Sequence, residues 1–219
     1  MGNTRETYFR FYPIGFRSII MNELLTPKIF TLTGLVRDNI FKDKKVLDVG
    51  CGKRKLSGAM GIDIIKDAQV DIIHDLAVFP WPVKSGSFDV IFLNSVLEHV
   101  PDVLATMGEL HRIAKQGARI IIKVPYFRSV DAFADPSHYH FFAASSMDFF
   151  IEGTEFRHYG YVPFHFKKLG FWYGWPHVSR NPLKQLLKIF VHRFPNFYDQ
   201  YLSILFPVEC IFWELEVVK

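Results

Sequence analysis

The stretch Lys45–Ile65, KVLDVGCGKRKLSGAMGIDII, holds two short apolar runs, KVLDVG and GIDII, on either side of a turn that opens with Gly50-Cys51-Gly52. Runs of this length and β-branched content read as buried strands, and glycines one residue apart allow a sharp turn where the first strand ends. The pattern recurs downstream. Val70–Ile73, Phe88–Leu93 and Ala118–Val124 are further apolar runs bounded by Gly, Pro or acidic residues. Between the last two, Pro101–Ala114 places apolar residues at Val103, Leu104, Met107, Leu110, Ile113 and Ala114, a helical period that Gly117 should stop. Alternating strand and helix implies a doubly wound, Rossmann-like α/β sheet whose ligand crevice lies at the carboxyl ends of its strands.

Working outward, Pro27–Phe41 reads as a helix on the sheet edge, and Tyr161–Trp172 and Cys210–Val218 as two strands closing the sheet antiparallel. The expected whole is a mostly parallel seven-stranded sheet with an antiparallel final strand. Residues 1–44 would form an N-terminal arm and helix on the substrate side. Residues 45–219 would form the main domain, with 173–209 a helical insertion between the last two strands. Within it, Pro182–Phe194 sets Leu183, Leu186, Leu187, Phe190, Val191 and Phe194 on one face and Lys184, Gln185, Lys188, His192 and Arg193 on the other, a basic amphipathic helix.

Composition narrows the class. The 219 residues are 49% hydrophobic and 22% charged, too apolar for a disordered chain and enough for one core. Two cysteines, Cys51 and Cys210, make no disulfide framework, and no charged-then-apolar leader opens the sequence, so the expected setting is reducing and cytoplasmic. The net charge of +4 divides as +4 over residues 1–45, −4 over 46–156 and +4 over 157–219, so the basicity belongs to the flanks. No run reaches the roughly 18 apolar residues that span a bilayer. The basic, aromatic flanks suit an anionic membrane surface or a sugar, with a lid and a homodimer surface as the other outcome the composition allows; nucleic acid is not favoured as a partner.

The turn after the first strand excludes two phosphate-binding classes. A G-x-G-x-x-G fingerprint would need glycine where Lys55 stands, and no G-x-x-x-x-G-K-[ST] occurs. VLDVGCG instead resembles the first motif of class I S-adenosylmethionine-dependent methyltransferases. The likeness continues through Asp63, Asp75-Leu76, FDVIFLNSVLEHVPD and MGELHRIAKQGARIIIKVP, covering residues 45–125 in order and spacing. The resemblance implies S-adenosyl-L-methionine as cofactor. Gly50, Cys51 and Gly52 would admit the methionyl moiety, Asp48 would hold its ammonium, and Asp63 with Ile64 would take the ribose, an acceptor-only carboxylate being suited to two hydroxyls. Asp75 and Leu76 would meet the adenine, and Asn94 and Ser95 the reacting methyl. Only ten residues, Cys51 to Met60, separate the first two strands, so the usual helix there is short or absent; its Lys53-Arg54-Lys55 triplet is a solvated turn, or reaches a phosphate or carboxylate.

A hydroxyl acceptor must be aligned and lose a proton. After the fifth strand come Val124-Pro125-Tyr126 and Asp135-Pro136-Ser137-His138-Tyr139-His140. This stretch resembles a branch of the family associated with bacterial surface-glycan and lipid-linked sugar pathways. His138 or His140 is the candidate base, since an imidazole titrates near neutrality, with Asp135 orienting it; the bland alternative is that both only hold the loop. A metal reading of Asp135, His138 and His140 lacks an obvious further ligand, and none is expected. His99 and Tyr126 would face the acceptor, and Cys51 would pack. The Asn-Pro-Pro-aromatic tetrad of amino methyltransferases is absent, Asn94-Ser95-Val96-Leu97 standing in its place, so the expected reaction is O-methylation of a sugar, glycan or lipid-linked small molecule. A non-catalytic cofactor-binding scaffold and an NAD-dependent oxidoreductase are the rivals, the latter opposed by Lys55.

Overall fold

The computed structural model describes Phe41 and residues 43–67, 69–174 and 182–219. The N-terminal arm, the Pro27–Phe41 helix apart from Phe41 itself, and Trp175 lie outside the described residues. Seven strands form one sheet: β1 (Val46–Val49), β2 (Met60–Asp63), β3 (Ile72–Ile73), β4 (Phe88–Asn94), β5 (Ala114–Pro125), β6 (His165–Tyr173) and β7 (Cys210–Val218). Their order is β3-β2-β1-β4-β5-β7-β6. β1, β2, β3, β4 and β5 pair in parallel, and β7 runs antiparallel to both of its neighbours. β6 therefore points the same way as the parallel set, and only β7 opposes it, the antiparallel final strand expected from the sequence.

Parallel strands covered on both faces lose their polar alternation. β4 shows this: Val90, Ile91, Phe92 and Leu93 are all buried, aligned with Val46–Val49 on one side and Arg119–Ile122 on the other. Full burial of such a side chain stabilises by about 1.5–3 kcal/mol. Strand order reverses between β1 and β4, each beginning a connection to the opposite edge, and a crevice opens at their carboxyl ends. The link from β1 to β2 is turns alone, as its length required.

Helix α1 (Val103–Ile113) starts at Asp102, whose carboxylate accepts the Ala105 N–H at 2.9 Å, and packs Met107, Leu110 and Ile113 onto the sheet. It ends three residues before the Gly117 stop expected from sequence. Ala114 is already extended and pairs with Phe88, and Gly117 (φ +73°) serves a reversal inside β5. Below the helix, Glu109 and Arg112 tie it to the segment before β4: Glu109 accepts the Trp81 N–H at 2.9 Å, and Arg112 donates to Glu109 and to the Trp81 and Val83 carbonyls. β6 begins at His165, not Tyr161, because Pro163 offers no N–H to a ladder.

After β5, a short helix α2 (Val130–Ala134) is capped by Ser129, whose Oγ accepts the Ala132 N–H. The insertion carries α3 (Pro182–Arg193), of which Val191, from the apolar face, is buried. His192 sits inward: Tyr173 N–H donates to its Nε2 at 3.0 Å, and its Nδ1 meets the Lys188 carbonyl at 2.6 Å. Desolvation pushes this imidazole down to about 4, so it stays neutral and needs no counter-ion. Leu186 and Phe190 are exposed instead. The Tyr198–Leu202 π-turn supplies Asp199, which accepts from Tyr126 Oη (2.8 Å), Tyr173 Oη (2.6 Å) and Ala144 N (2.9 Å), joining insertion, sheet and loop at one carboxylate.

Candidate active site

A cavity of about 250 Å³ opens at the carboxyl ends of β1, β2 and β4. Of the residues singled out in the sequence, Gly50, Asp63, Ile64, Asp75, Leu76, Ser95 and His99 lie on its wall. Gly50 leaves β1 in the left-handed region (φ +63°), and a Cβ there would come within 2.5 Å of Val96 Cγ2. Only bare backbone fits between strand and neighbour. Asp63 braces the turn: its Oδ2 accepts the Gly52 N–H at 2.8 Å and its Oδ1 the Ile65 N–H at 3.0 Å. Each carboxylate oxygen keeps a further lone pair for a ligand hydroxyl. Asp75 is held by the Ala77 N–H at 2.9 Å. Ser95, also left-handed (φ +57°), turns the chain out of β4, and its N–H donates to the Lys123 carbonyl at 2.9 Å.

The other cofactor-side residues stand behind this wall. Asp48 is buried, its Oδ2 accepting the Leu56 N–H at 2.7 Å, and desolvation pushes its carboxyl up to about 6. Burial also pushes the Cys51 thiol up to about 11, so it packs as a neutral group. Asn94 is exposed at the end of β4 and is not on the cavity wall. Of the basic triplet, Lys55 pairs with Asp71 at 2.7 Å.

On the acceptor side, the loop after α2 is latched to β4 through the Glu98 carbonyl, which accepts the Tyr139 N–H at 2.8 Å. This brings His138 against His99, ring centroids 4.6 Å apart and edge to face. Behind His99, its Nδ1 lies 3.0 Å from Ser137 Oγ, and that hydroxyl donates to Asp135 Oδ1 at 2.6 Å. Ser137 in turn holds the Asp135 carboxyl below its usual range. His138 Nδ1 meets the Ala132 carbonyl at 2.9 Å. A carbonyl only accepts, so His138 Nδ1 carries the proton and Nε2 the lone pair. Burial, and after it the neighbouring His138, draws the His99 imidazole down in pKa, against Asp135 and Ser137.

Glu98 completes the cluster. It is 1% exposed, and neither carboxyl oxygen has a hydrogen-bond partner. Desolvation pushes it up to about 7, against the opposing pull of its own backbone N–H, His138, Lys123 and the Ser95 hydroxyl. Sequence reasoning passed over Glu98 and Ser137. The available signal was a carboxylate inside the apolar run Val96-Leu97-Glu98, next to a histidine. His140 is not in this group: its Nε2 is buried without a hydrogen-bond partner, and its ring lies between Tyr139 and Phe142. Tyr126 is fully buried, and its hydroxyl, bonded to Asp199, is raised in pKa by desolvation.

This sheet order, with a bare-backbone turn after β1 and carboxylates after β2 and β3, defines the class I S-adenosylmethionine-dependent methyltransferase architecture. Residues 21–161 match the methyltransferase-domain family, and the chain belongs to it. A similar solved structure is a SAM-dependent methyltransferase from Archaeoglobus fulgidus: TM-score 0.50, 15% identity, covering 79% of this chain and 86% of that one. Among curated relatives, the chloroplastic tocopherol O-methyltransferase of Arabidopsis thaliana is 32% identical over 114 residues, spanning 42% of this chain and 33% of that protein. The ubiquinone biosynthesis O-methyltransferase of Pseudomonas aeruginosa is 32% identical over 100 residues, spanning 36% and 43%. The chain thus spans less than half the length of either curated relative. Among the described residues no helix is long and apolar enough to cross a membrane.

Proposed function

We propose that this protein moves a methyl group from S-adenosyl-L-methionine to a hydroxyl of a small acceptor with an apolar body, a lipid-linked sugar or ring compound, with His99 activating the hydroxyl. One observation carries the reading: His99 stands on the wall of the same cavity as Gly50, Asp63 and Asp75, with its outer nitrogen tied down by Ser137. The residues present fit the cofactor, since the bare backbone of Gly50 and two braced carboxylates, Asp63 and Asp75, line the wall. When bound, S-adenosylmethionine supplies a methyl carbon already activated by the sulfonium.

The chain then has two tasks. Asp63 would hold the ribose, Asp75 and Leu76 the adenine, and Gly50 and Ser95 the methionyl end. His99 Nδ1–H would donate to Ser137, which leaves Nε2 as the proton acceptor for the hydroxyl. In the segment that carries Asp135 and His138, exposed Phe133 and Phe141 stack 4.5 Å apart, an apolar platform suited to a flat acceptor. Both curated relatives carry O-methyltransferase names, which agrees with oxygen as the acceptor atom. Residues 45–219 are the catalytic unit in this reading, with residues 1–44 and the insertion on the acceptor side.

Calorimetry and a transfer assay test it together. Two charge-assisted hydrogen bonds are worth about 1.5–3 kcal/mol each, so Asp63→Ala should weaken S-adenosylmethionine at least about a hundredfold. His99→Gln should keep cofactor affinity within about threefold and lose transfer of labelled methyl into a polar-lipid extract. No cofactor binding by the wild type would overturn the whole reading; full transfer by His99→Gln would overturn the role of His99.

A further inference from the structure

We infer that Glu98, His99 and His138 form a binding site for one divalent transition-metal ion of the zinc class, placed to take the acceptor hydroxyl as a further ligand. One ligand atom from each of the three lies within 4.8 Å of the others. Around a tetrahedral ion with bonds near 2.0–2.1 Å, ligand atoms stand about 3.3 Å apart, so closing the site needs shifts of about 1 Å or less per side chain. Two histidines and a glutamate are a donor set of catalytic zinc sites that leave one position open.

Two further observations point to an ion and not to a chance cluster. Glu98 is sealed from solvent with both oxygens unpartnered, a state that costs free energy unless something positive or donating occupies the space. Both imidazoles are also held from behind: His99 Nδ1 by the Ser137 hydroxyl, itself tied to Asp135, and His138 Nδ1 by the Ala132 carbonyl. Such outer partners fix a ligating histidine with its other lone pair forward, and here they include the carboxylate-backed arrangement common at metal centres. The adjacent Glu98 and His99 and the distant His138 come from two segments, joined by the Tyr139 N–H bond to the Glu98 carbonyl. His99 also lines the cofactor cavity, so an ion on its inner nitrogen would border the space where the acceptor must sit.

The inference deepens the proposed function and rests on it for the ion's role. With the ion bound, His99 Nε2 would be a ligand and no longer the proton acceptor, and the acceptor hydroxyl on the open position would lose its proton to solvent at lower pH. The coordinated oxygen then displaces the sulfonium, forming a C–O bond as the C–S bond breaks and leaving S-adenosylhomocysteine.

The test reads metal binding without cofactor or acceptor. Full-length protein stripped with chelator is titrated with Zn²⁺ by calorimetry, and with Co²⁺ by visible absorption. One equivalent of Zn²⁺ at micromolar affinity or tighter is expected, with Co²⁺ bands of low coordination number. Glu98→Gln and His138→Ala should each lose at least tenfold in affinity, and Ser137→Ala, which touches no ion, about tenfold. Circular dichroism and thermal melts confirm that each variant is folded, and Glu98→Gln carries the decision if His138→Ala is not. No Zn²⁺ binding by the wild type, or binding that folded Glu98→Gln leaves unchanged, overturns the site. Zn²⁺ binding without methyl transfer sinks the proposed function and keeps the site; chelator-resistant transfer with no Zn²⁺ binding does the reverse.

Discussion

Asp48 offers the sharpest test of how the cofactor side is built. Its carboxyl is 5% exposed, keeps one backbone hydrogen bond, from Leu56, and lies in the field of Asp63. Desolvation, with a smaller push from Asp63, lifts it from an ordinary 3.8 to about 6. The folded protein therefore binds this proton more tightly than the unfolded chain does. The stability this contributes is fully present below pH 3.8 and is lost as pH rises through about 6. At about 1.4 kcal/mol per tenfold change in proton affinity, the loss is up to about 3 kcal/mol. Asp48→Asn keeps an oxygen for Leu56 N–H and never ionises, so at pH 7.5 the variant should be more stable than wild type by about 1–3 kcal/mol. At pH 3.5 the two should be nearly equal. Urea unfolding followed by tryptophan fluorescence, in steps from pH 3.5 to 8, gives the difference curve and cancels the other titrating groups. Parallel curves across that range would refute the buried-carboxyl account, and so would a variant that loses stability as pH rises.

Other outcomes follow from the same geometry. Gly50→Ala adds a left-handed alanine to a 2.5 Å clash with Val96, so it should cost about 2–4 kcal/mol in urea melts and abolish cofactor binding. Arg112→Ala strips Glu109 of its ion pair and frees the Trp81 and Val83 carbonyls, for a loss of about 2–4 kcal/mol, while Arg112→Lys recovers only part because it cannot fork. Asp199→Asn leaves three donors facing one acceptor oxygen; a loss of about 1–3 kcal/mol is expected, with earlier proteolysis of the insertion.

The cavity wall at β1, β2 and β4 was legible because its determinants are local. A strand, a turn of fixed length and an acidic residue at the next strand end are contiguous in sequence, and the fold only has to bring β1, β2 and β4 into register. The acceptor side was half legible. Asp135 and His138 were recognisable as a polar cluster after the fifth strand, but their partners Glu98 and His99 lie some forty residues earlier. The bond that joins the two segments is a backbone one, Tyr139 N–H to Glu98 carbonyl, which no side-chain pattern betrays. His140 looked equal to His138 because they are two residues apart. Only the loop's path separates them, aiming one at His99 and burying the other. In α3 the periodic pattern says which residues are apolar, while His192 shows that a polar side chain goes inward when backbone groups satisfy both nitrogens.

The Asp199 carboxylate has a consequence for engineering. It belongs to the insertion by sequence, yet the groups it serves lie just past β5, on β6 and in the loop at Ala144. The insertion is therefore not a cassette. A chimera that imported residues 174–209 from another methyltransferase to change its acceptor would inherit a tail whose plug no longer matches the socket. The smallest transplantable unit is discontinuous and must carry Tyr126, Ala144 and Tyr173 along with the turn that reads them.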